Sequence, residues 1–305
     1  MIGLEAQQKT YQIAGVTLGG KPGEYPPVMI GSIFYRGHKI VENHEKGIFD
    51  RVKAKDLLEA EEELSRQYGL PRIIDVVAES AEAMCRYLDF VVEYSNSPFL
   101  IDSSNPEVRM TGIRYIAEKN LLERAIYNSI DPHSKAEEFE FLKEYGVKNV
   151  MIMAFDKKYL MPEKRLQLLN GEGESKGLLD AVLATGATNI LIDPGVLDLP
   201  STSWTSQAIF KIKDKLGYPA GCAPSNALYT WKRQTQVNPE AFQACGAAIF
   251  NLPLAFGADF LLYGPIANAS WVYPSCAVAA ASIAYGGRSL GVRPKTKEHP
   301  LFKVF

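Results

Sequence analysis

Short apolar segments that end in an acidic or amide side chain recur along this chain. In the clearest one, the apolar residues 99–101 lead to Asp102, and two serines follow. Other segments of this kind end at Asp75, Asn128 and Asp193. An apolar run that delivers a polar group to its C-terminal end is typical of a buried parallel strand, because α/β barrels bind their ligands at that end. The feature restricts the chain to folds that are built from parallel strands.

The spacing of three of these end positions matches a barrel. Asp75, Asp102 and Asn128 are 27 and then 26 positions apart, a pitch that accommodates one strand, one helix and two loops. We therefore expect these side chains to converge on one mouth. Strand and helix signals alternate in eight units, which predicts a single α/β domain over residues 1–305, a (β/α)8 TIM barrel with a short N-terminal hairpin near 11–20. An open doubly wound sheet is the alternative, since periodicity alone does not show closure.

The predicted elements follow this alternation. The strands are predicted at 28–35, 73–77, 99–102, up to 128, 149–154, up to 193, 218–222 and 259–263. The helices are predicted at about 54–68, 80–94, from 105, about 134–145, up to 184, about 206–216 and 269–285. The helix at Asn105 has a strong start signal, an amide cap followed by proline and an acid.

Composition excludes several classes of protein. The net charge of −2 and the pI near 6.2 argue against a surface for nucleic acid or anionic lipid, which would need a basic excess. No apolar run approaches the roughly 20 residues that span a bilayer, and no secretory signal is visible, so we expect a cytoplasmic protein. The four cysteines are scattered without CxxC pairs or histidines at ligand spacing, which predicts free thiols and no metal site.

The other candidate motifs have structural explanations. The glycine-rich segment 170–177 lacks the spacing of a phosphate-binding loop and is expected to be a mobile loop or a lid. No dinucleotide-binding signature or nucleophile elbow is present. We expect His38 and His44 to be hydrogen-bonded structural residues, since neither follows a candidate strand.

The acids and amides at the strand ends fit a flat heterocycle with several N–H donors. Unpaired polar groups are costly in an apolar-walled cavity, so such a set implies ordered water or a ligand. A carboxylate can accept two parallel N–H bonds, whereas an asparagine amide both donates and accepts. Asp102, Asn128 and Asp193 therefore suit the 2-amino-4-oxo-pyrimidine edge of pterins and folates.

Several longer segments resemble a known family. The chain is similar to the H subunit of tetrahydromethanopterin S-methyltransferase and to its stand-alone relatives, the methylcorrinoid:tetrahydrofolate methyltransferases. More distantly, the strand ends at 101–103 and 192–194 resemble the pterin-binding methyltransferases that work with the corrinoid iron–sulfur protein. The segments that carry the family resemblance are Gly19–Pro26, Phe34–Glu42, Lys46–Asp50, Ile126–Ile130 and Leu262–Ala269.

The resemblance implies a function and a site. It implies a dimeric TIM barrel that moves a methyl group between a methylated corrinoid protein and N5 of a reduced pterin, with tetrahydrofolate or tetrahydromethanopterin as the carrier. The corrinoid would arrive on a partner protein, and no metal of the chain's own is required. Asp75, Asp102, Asn128 and Asp193 fall on pterin-binding positions, and Asn226 falls on the catalytic amide near N5.

Two other functions remain open at the level of sequence. A pteroate-forming synthase, of the dihydropteroate synthase type, would use the same scaffold, but the late strand ends lack the lysines and arginines that would stabilise a departing pyrophosphate. A non-catalytic subunit that only docks on a methyltransferase complex would not need an intact set of polar residues at the mouth.

Overall fold

The central feature of the protein is a barrel of eight parallel strands, seen in a computed structural model that describes residues 3–173 and 175–305. The strands of these residues, in chain order, are β1 (Thr10–Ile13), β2 (Val16–Gly19), β3 (Val28–Ile33), β4 (Val41–Asn43), β5 (Ile48–Phe49), β6 (Arg72–Val77), β7 (Phe99–Asp102), β8 (Ala125–Ile130), β9 (Asn149–Met153), β10 (Asn189–Asp193), β11 (Gly221–Cys222) and β12 (Phe260–Pro265). The barrel order is β10-β9-β8-β7-β6-β3-β12-β11. Ile192 pairs with Ala220, and its amide donates to the carbonyl of Pro219 at 3.0 Å, which joins β10 to β11. The predicted α/β barrel is confirmed.

Helices surround the strands. They are α1 (Arg51–Tyr68), α2 (Ala81–Tyr94), α3 (Pro106–Glu118), α4 (Ala136–Glu144), α5 (Pro162–Asn170), α6 (Leu178–Ala184), α7 (Thr202–Leu216), α8 (Ser225–Gln234), α9 (Pro239–Ala255) and α10 (Ala269–Gly287). Short 3-10 segments are Leu122–Arg124, Ile266–Asn268, Arg288–Leu290 and Pro300–Phe302. In the part of the chain that the structure describes, no helix is both long and apolar enough to cross a membrane.

Two apolar clusters form the core. The larger one lies between the strands and the surrounding helices, and the smaller one fills the barrel. The interior cluster consists of Val28, Ile30, Ile73, Leu100, Ile126, Met151, Leu191, Phe260 and Leu262, together with Ile13 and Leu18. Since the last two belong to the antiparallel β1–β2 hairpin, this hairpin closes the end of the barrel at which the strands begin.

A buried ion pair fastens the closed end of the barrel. The ammonium group of Lys213 on α7 donates to both carboxylate oxygens of Asp259 at 2.6 Å and to the carbonyl of Gly20 at 3.0 Å. The amide of Ala220 also donates to Asp259, at 2.9 Å. These contacts connect the residue after the hairpin to the starts of β11 and β12.

The local signals in the sequence explain several element boundaries. The side chain of Asn105 caps α3 by accepting from the amide of Glu107 at 3.0 Å, as its sequence predicts. Strand β8 continues to Ile130, two residues beyond its predicted end. The structure adds the short β4–β5 pair and the helices α5, α8 and α9, none of which the sequence pattern predicted.

Candidate functional site

Asp102, Asn128 and Asp193 lie at the same end of the barrel. The interior apolar residues of β7, β8 and β10 stand two positions before these three side chains. Because successive side chains of a strand alternate between its faces, all three face the interior at the C-terminal ends of their strands. Asp102 lies directly opposite Asn128 in the register, and Asp193 lies opposite Met153 of the intervening strand β9. The structure therefore brings these predicted residues to one mouth.

Asp75 occupies a deeper position than the other acids. It lies opposite Leu100 in the register, two residues below the level of Asp102, and is only 2% exposed. The hydroxyl of Ser32 donates to Asp75 Oδ2 at 2.6 Å, and the carboxyl group of Asp102 lies within reach of Asp75 and acts on its pKa. Asn128 lies directly opposite Asp102 in the register. Four polar side chains thus lie side by side across β3, β6, β7 and β8.

The two carboxyl groups of this set differ in acidity. Burial raises the pKa of Asp102 to about 6, while nearby Arg109 opposes the rise. Burial and then the negative charge of Asp102 raise the pKa of Asp75 well above its usual range, and the bond from Ser32 only partly opposes this. Asp75 is therefore the weaker acid of the two.

Arg109 of α3 supports the loop that follows Asp102. Its Nη1 donates to the carbonyl of Ser103 at 2.6 Å, and its Nη2 donates to Glu138 Oε2 at 2.7 Å. The hydroxyl of Tyr127 donates to the same oxygen. The guanidinium is buried, so this network ties the end of β7 to α3, α4 and β8.

Asp193 has a separate support. Its Oδ1 accepts from the amide of Gly195 at 2.6 Å, and burial raises the pKa of Asp193 to about 6 against the effect of that bond and of Arg165. Arg165 of α5 is fully buried, and its Nη1 donates to the carbonyls of Pro194 and Gly195 at 2.6 and 2.7 Å and to Thr205 Oγ1 at 2.9 Å. This arginine of α5 holds the loop after β10 in place through its carbonyl groups.

The predicted catalytic amide is placed differently. Asn226 is the second residue of α8, the helix that follows β11, and it is exposed. Its carbonyl accepts from the hydroxyl of Thr230 at 2.8 Å. Its side chain forms no hydrogen bond with the residues that the structure describes, so it is not joined to the acids of the mouth.

The acids of the mouth are not neutralised from within. Within residues 3–173 and 175–305, none of Asp75, Asp102 and Asp193 takes part in a salt bridge, and no group of three or more histidines, cysteines or acids could hold a metal ion. His38 accepts from the amide of Phe34 through Nδ1 at 3.1 Å, a structural role.

The two remaining sequence features have simple structural settings. The four cysteines are free. The glycine-rich segment 170–177 joins α5 to α6, and Glu174 within it lies outside the described residues.

Sequence reasoning missed three residues of the site. Ser32 stands two positions after the interior residue Ile30, so the strand-end rule applied to the other strands could have found it. Arg109 and Arg165 carry no local signal, because their roles depend on carbonyl groups that only the fold brings to them.

Comparisons with known proteins connect this chain to subunits of methyltransferases. A family model described as the tetrahydromethanopterin S-methyltransferase MtrH subunit matches residues 6–295. The chain is 34% identical over 310 residues to the H subunit of the tetrahydromethanopterin S-methyltransferase of Methanothermobacter thermautotrophicus, with 100% of both chains covered. It is 36% identical to the corresponding subunit of Methanopyrus kandleri, with 96% of both covered. It is 35% identical to that of Methanosarcina acetivorans, with 100% of both covered.

Solved structures with a similar fold are dihydropteroate synthases. The enzyme of Yersinia pestis, solved with a pterine-sulfa conjugate, superposes with a TM-score of 0.62 at 14% identity, covering 93% of this chain and 100% of that one. The enzyme of Xanthomonas albilineans gives a TM-score of 0.61 at 15% identity, covering 90% of this chain and 98% of that one. At these identities the similarity establishes the shared barrel.

Proposed function

Because the chain belongs to the family of tetrahydromethanopterin S-methyltransferase MtrH subunits, we propose that it is a methyltransferase acting between a methylated corrinoid protein and N5 of a reduced pterin. In the proposed direction tetrahydrofolate accepts the methyl group and becomes 5-methyltetrahydrofolate. Tetrahydromethanopterin, which the names of the relatives contain, is the alternative carrier. The observation that carries the proposal is the mouth itself, where acids and an amide from separate strands have no cation bonded to them among residues 3–173 and 175–305.

The donor and acceptor pattern of the mouth supports a pterin. The 2-amino-4-oxo-pyrimidine edge of a pterin offers adjacent N–H donors and a carbonyl oxygen. Ionised Asp102 and Asp193 accept such donors, and the amide of Asn128 can meet the carbonyl. Charge-assisted bonds of this kind are about twice as strong as neutral ones. We propose that these three side chains, with Asp75 behind Asp102, hold the ring edge-on.

In the chemical step, the main task of the protein is to position the reacting atoms. N5 forms a bond to the methyl carbon as the carbon–cobalt bond of the substrate breaks, the electron pair stays with the cobalt, and N5 loses a proton to solvent. In-line displacement gains most from holding the reacting atoms in the right geometry. We assign Asn226 the role of the amide near N5, because an amide can donate to or accept from this nitrogen as its protonation changes.

We also propose that the protein acts as a homodimer that receives a corrinoid protein at the mouth. The 28 residues from Phe260 to Gly287, which include all of α10, carry no charge, although Val278 and Tyr285 of this helix are 47% and 63% exposed. An outer helix without charges on its solvent side is typical of a face covered by a second copy of the chain.

Methyl transfer from methylcobalamin to tetrahydrofolate tests the proposed function. The wild-type protein is expected to form 5-methyltetrahydrofolate, and Asp102→Ala is expected to lose about 30- to 150-fold in affinity for tetrahydrofolate, the equivalent of about 2–3 kcal/mol for a hydrogen-bonded charge. Asp180→Ala, which removes an exposed aspartate of α6, is the matched control. Full activity and affinity in Asp102→Ala would contradict the site.

Two further assays separate the alternatives. A subunit that only docks would give no heat on titration with tetrahydrofolate. A dihydropteroate synthase would condense 4-aminobenzoate with a pterin pyrophosphate. The residues that follow β11 and β12, 223–226 and 266–268, include no lysine or arginine to stabilise that leaving group.

A further inference from the structure

Asp75 is a buried acid with one oxygen that has no hydrogen-bond donor among the described residues. Ser32 Oγ donates to Asp75 Oδ2 at 2.6 Å. The other oxygen, Oδ1, is buried and accepts no hydrogen bond from the residues described. The remaining polar neighbour is the carboxyl group of Asp102. Two ionised carboxylates this close would repel each other and neither could donate, whereas a proton on one of them gives the unpartnered Oδ1 a hydrogen bond to the neighbouring acid.

The surroundings place this proton on Asp75. Asp75 is 2% exposed on β6, and the groups that act on it are Ser32 from β3 and the acid Asp102 from β7. The positive charge of Arg109 of α3 lowers the pKa of Asp102, and no cation acts in this way on Asp75 within the described residues. Asp102 also lies opposite the amide-bearing Asn128 and is the more exposed of the two acids. A negative charge is therefore more stable on Asp102 than on Asp75.

We propose that Asp75 is a neutral positioning residue that donates its proton to Asp102, so that the mouth presents one oriented carboxylate to the pterin edge instead of two repelling ones. This inference rests on the proposed pterin site and changes the role that the sequence predicted for Asp75, from ligand contact to support. Ser32 holds one oxygen of Asp75, which leaves the other to face Asp102.

The proposal makes Asp75 replaceable by its amide. The side chain introduced by Asp75→Asn would keep a donor toward Asp102 and an acceptor toward Ser32, whereas alanine would keep neither. At pH 7 we expect Asp75→Asn to bind tetrahydrofolate within about threefold of the wild type, and Asp75→Ala and Asp102→Asn each to bind at least about tenfold more weakly, as expected when a charge loses a hydrogen bond. Isothermal titration calorimetry measures all four proteins.

The pH profile separates a proton donor from a merely structural residue. In the wild type, affinity is expected to fall at alkaline pH as Asp75 ionises and repels Asp102. The Asp75→Asn variant cannot ionise at this position, so its profile should lack this fall, and any ionisation of tetrahydrofolate itself affects both proteins equally. Equal losses of affinity in Asp75→Asn and Asp102→Asn at pH 7, or identical alkaline profiles in the wild type and Asp75→Asn, would overturn the proposal.

A measurement without ligand keeps this test independent of the proposed function. The wild type is expected to show the infrared carbonyl stretch of a protonated carboxyl group at about pH 8, and Asp75→Asn is expected to lack it. Burial also raises the pKa of Glu61 to about 7, so Glu61 could contribute to the same band. Glu61→Gln is therefore the control, and it is expected to keep the band that Asp75 gives. A wild type that shows this band but does not bind tetrahydrofolate would refute the pterin site and retain the neutral Asp75. A wild type without the band would refute the neutral Asp75.

Discussion

Asp102 and Asp193 give the ligand-free protein an unusual dependence on pH. Burial raises the pKa of each to about 6, from the ordinary value of about 4. Between these values the folded state binds more protons than the unfolded chain, so the free energy of unfolding falls as pH rises. We expect Asp193→Asn, which keeps an acceptor for the amide of Gly195, to reduce this fall. Thermal unfolding at stepped pH values from about 4 to 7 measures it.

The affinity for a pterin is expected to change in the opposite direction. Acceptors for N–H donors must be ionised, so tetrahydrofolate should bind more tightly as pH rises through about 6, the value to which burial raises the pKa of both Asp102 and Asp193. Calorimetric titration over the same range, with Asp180→Ala as control, tests this. An affinity that stays constant from acid to neutral pH would show that neither carboxylate binds the ligand.

The sequence predicts the roles of some single residues and not of others. The positions of Asp102, Asn128 and Asp193 at one mouth follow from a two-residue alternation that is visible in the sequence. The support that Arg165 gives to the loop after Asp193 is invisible there, because its acceptors lie about 30 positions away in sequence. The role of Asp75 is hidden for another reason, since the sequence does not show that Asp75 lies two residues deeper in the barrel than Asp102.

At the scale of elements, the attachment of the β1–β2 hairpin depends on the ion pair of Lys213 and Asp259. Both side chains are buried, and removal of one partner leaves an uncompensated charge, which costs about 3–5 kcal/mol. We expect Lys213→Met to lower the free energy of unfolding by this amount in urea titrations. The double variant Lys213→Met/Asp259→Leu should recover much of it, because no buried charge remains. Equal stability of Lys213→Met and the wild type would contradict this role.

The strands were predictable because their apolar runs are short and end in polar residues. Each of the eight barrel strands begins or ends within two residues of a predicted bound. The helix α9 was not predicted. Residues 241–258 carry no charge, so this helix lacks the polar stripe that reveals an amphipathic helix. Such a helix is recognised only when its neighbours are known.

At the scale of the molecule, the uncharged face of α10 predicts the oligomeric state. Tyr285→Glu places a charge on this face, and a two-fold interface would bring it near its own copy. We expect the wild type to elute as a dimer and Tyr285→Glu as a monomer in size-exclusion chromatography with light scattering. Leu183→Glu, at a residue of α6 that is 46% exposed, is the matched control. A dimeric Tyr285→Glu would place the interface elsewhere.

The hairpin at one end of the barrel also bears on the order of binding. Within the described residues, Ile13 and Leu18 block the end at which the strands begin, so small molecules reach the carboxylates from the opposite side. In the proposed reaction, a methyl carrier that docks at that side covers this entrance. We therefore expect compulsory-ordered turnover, in which the pterin enters before the carrier docks and the carrier departs before methylated product is released.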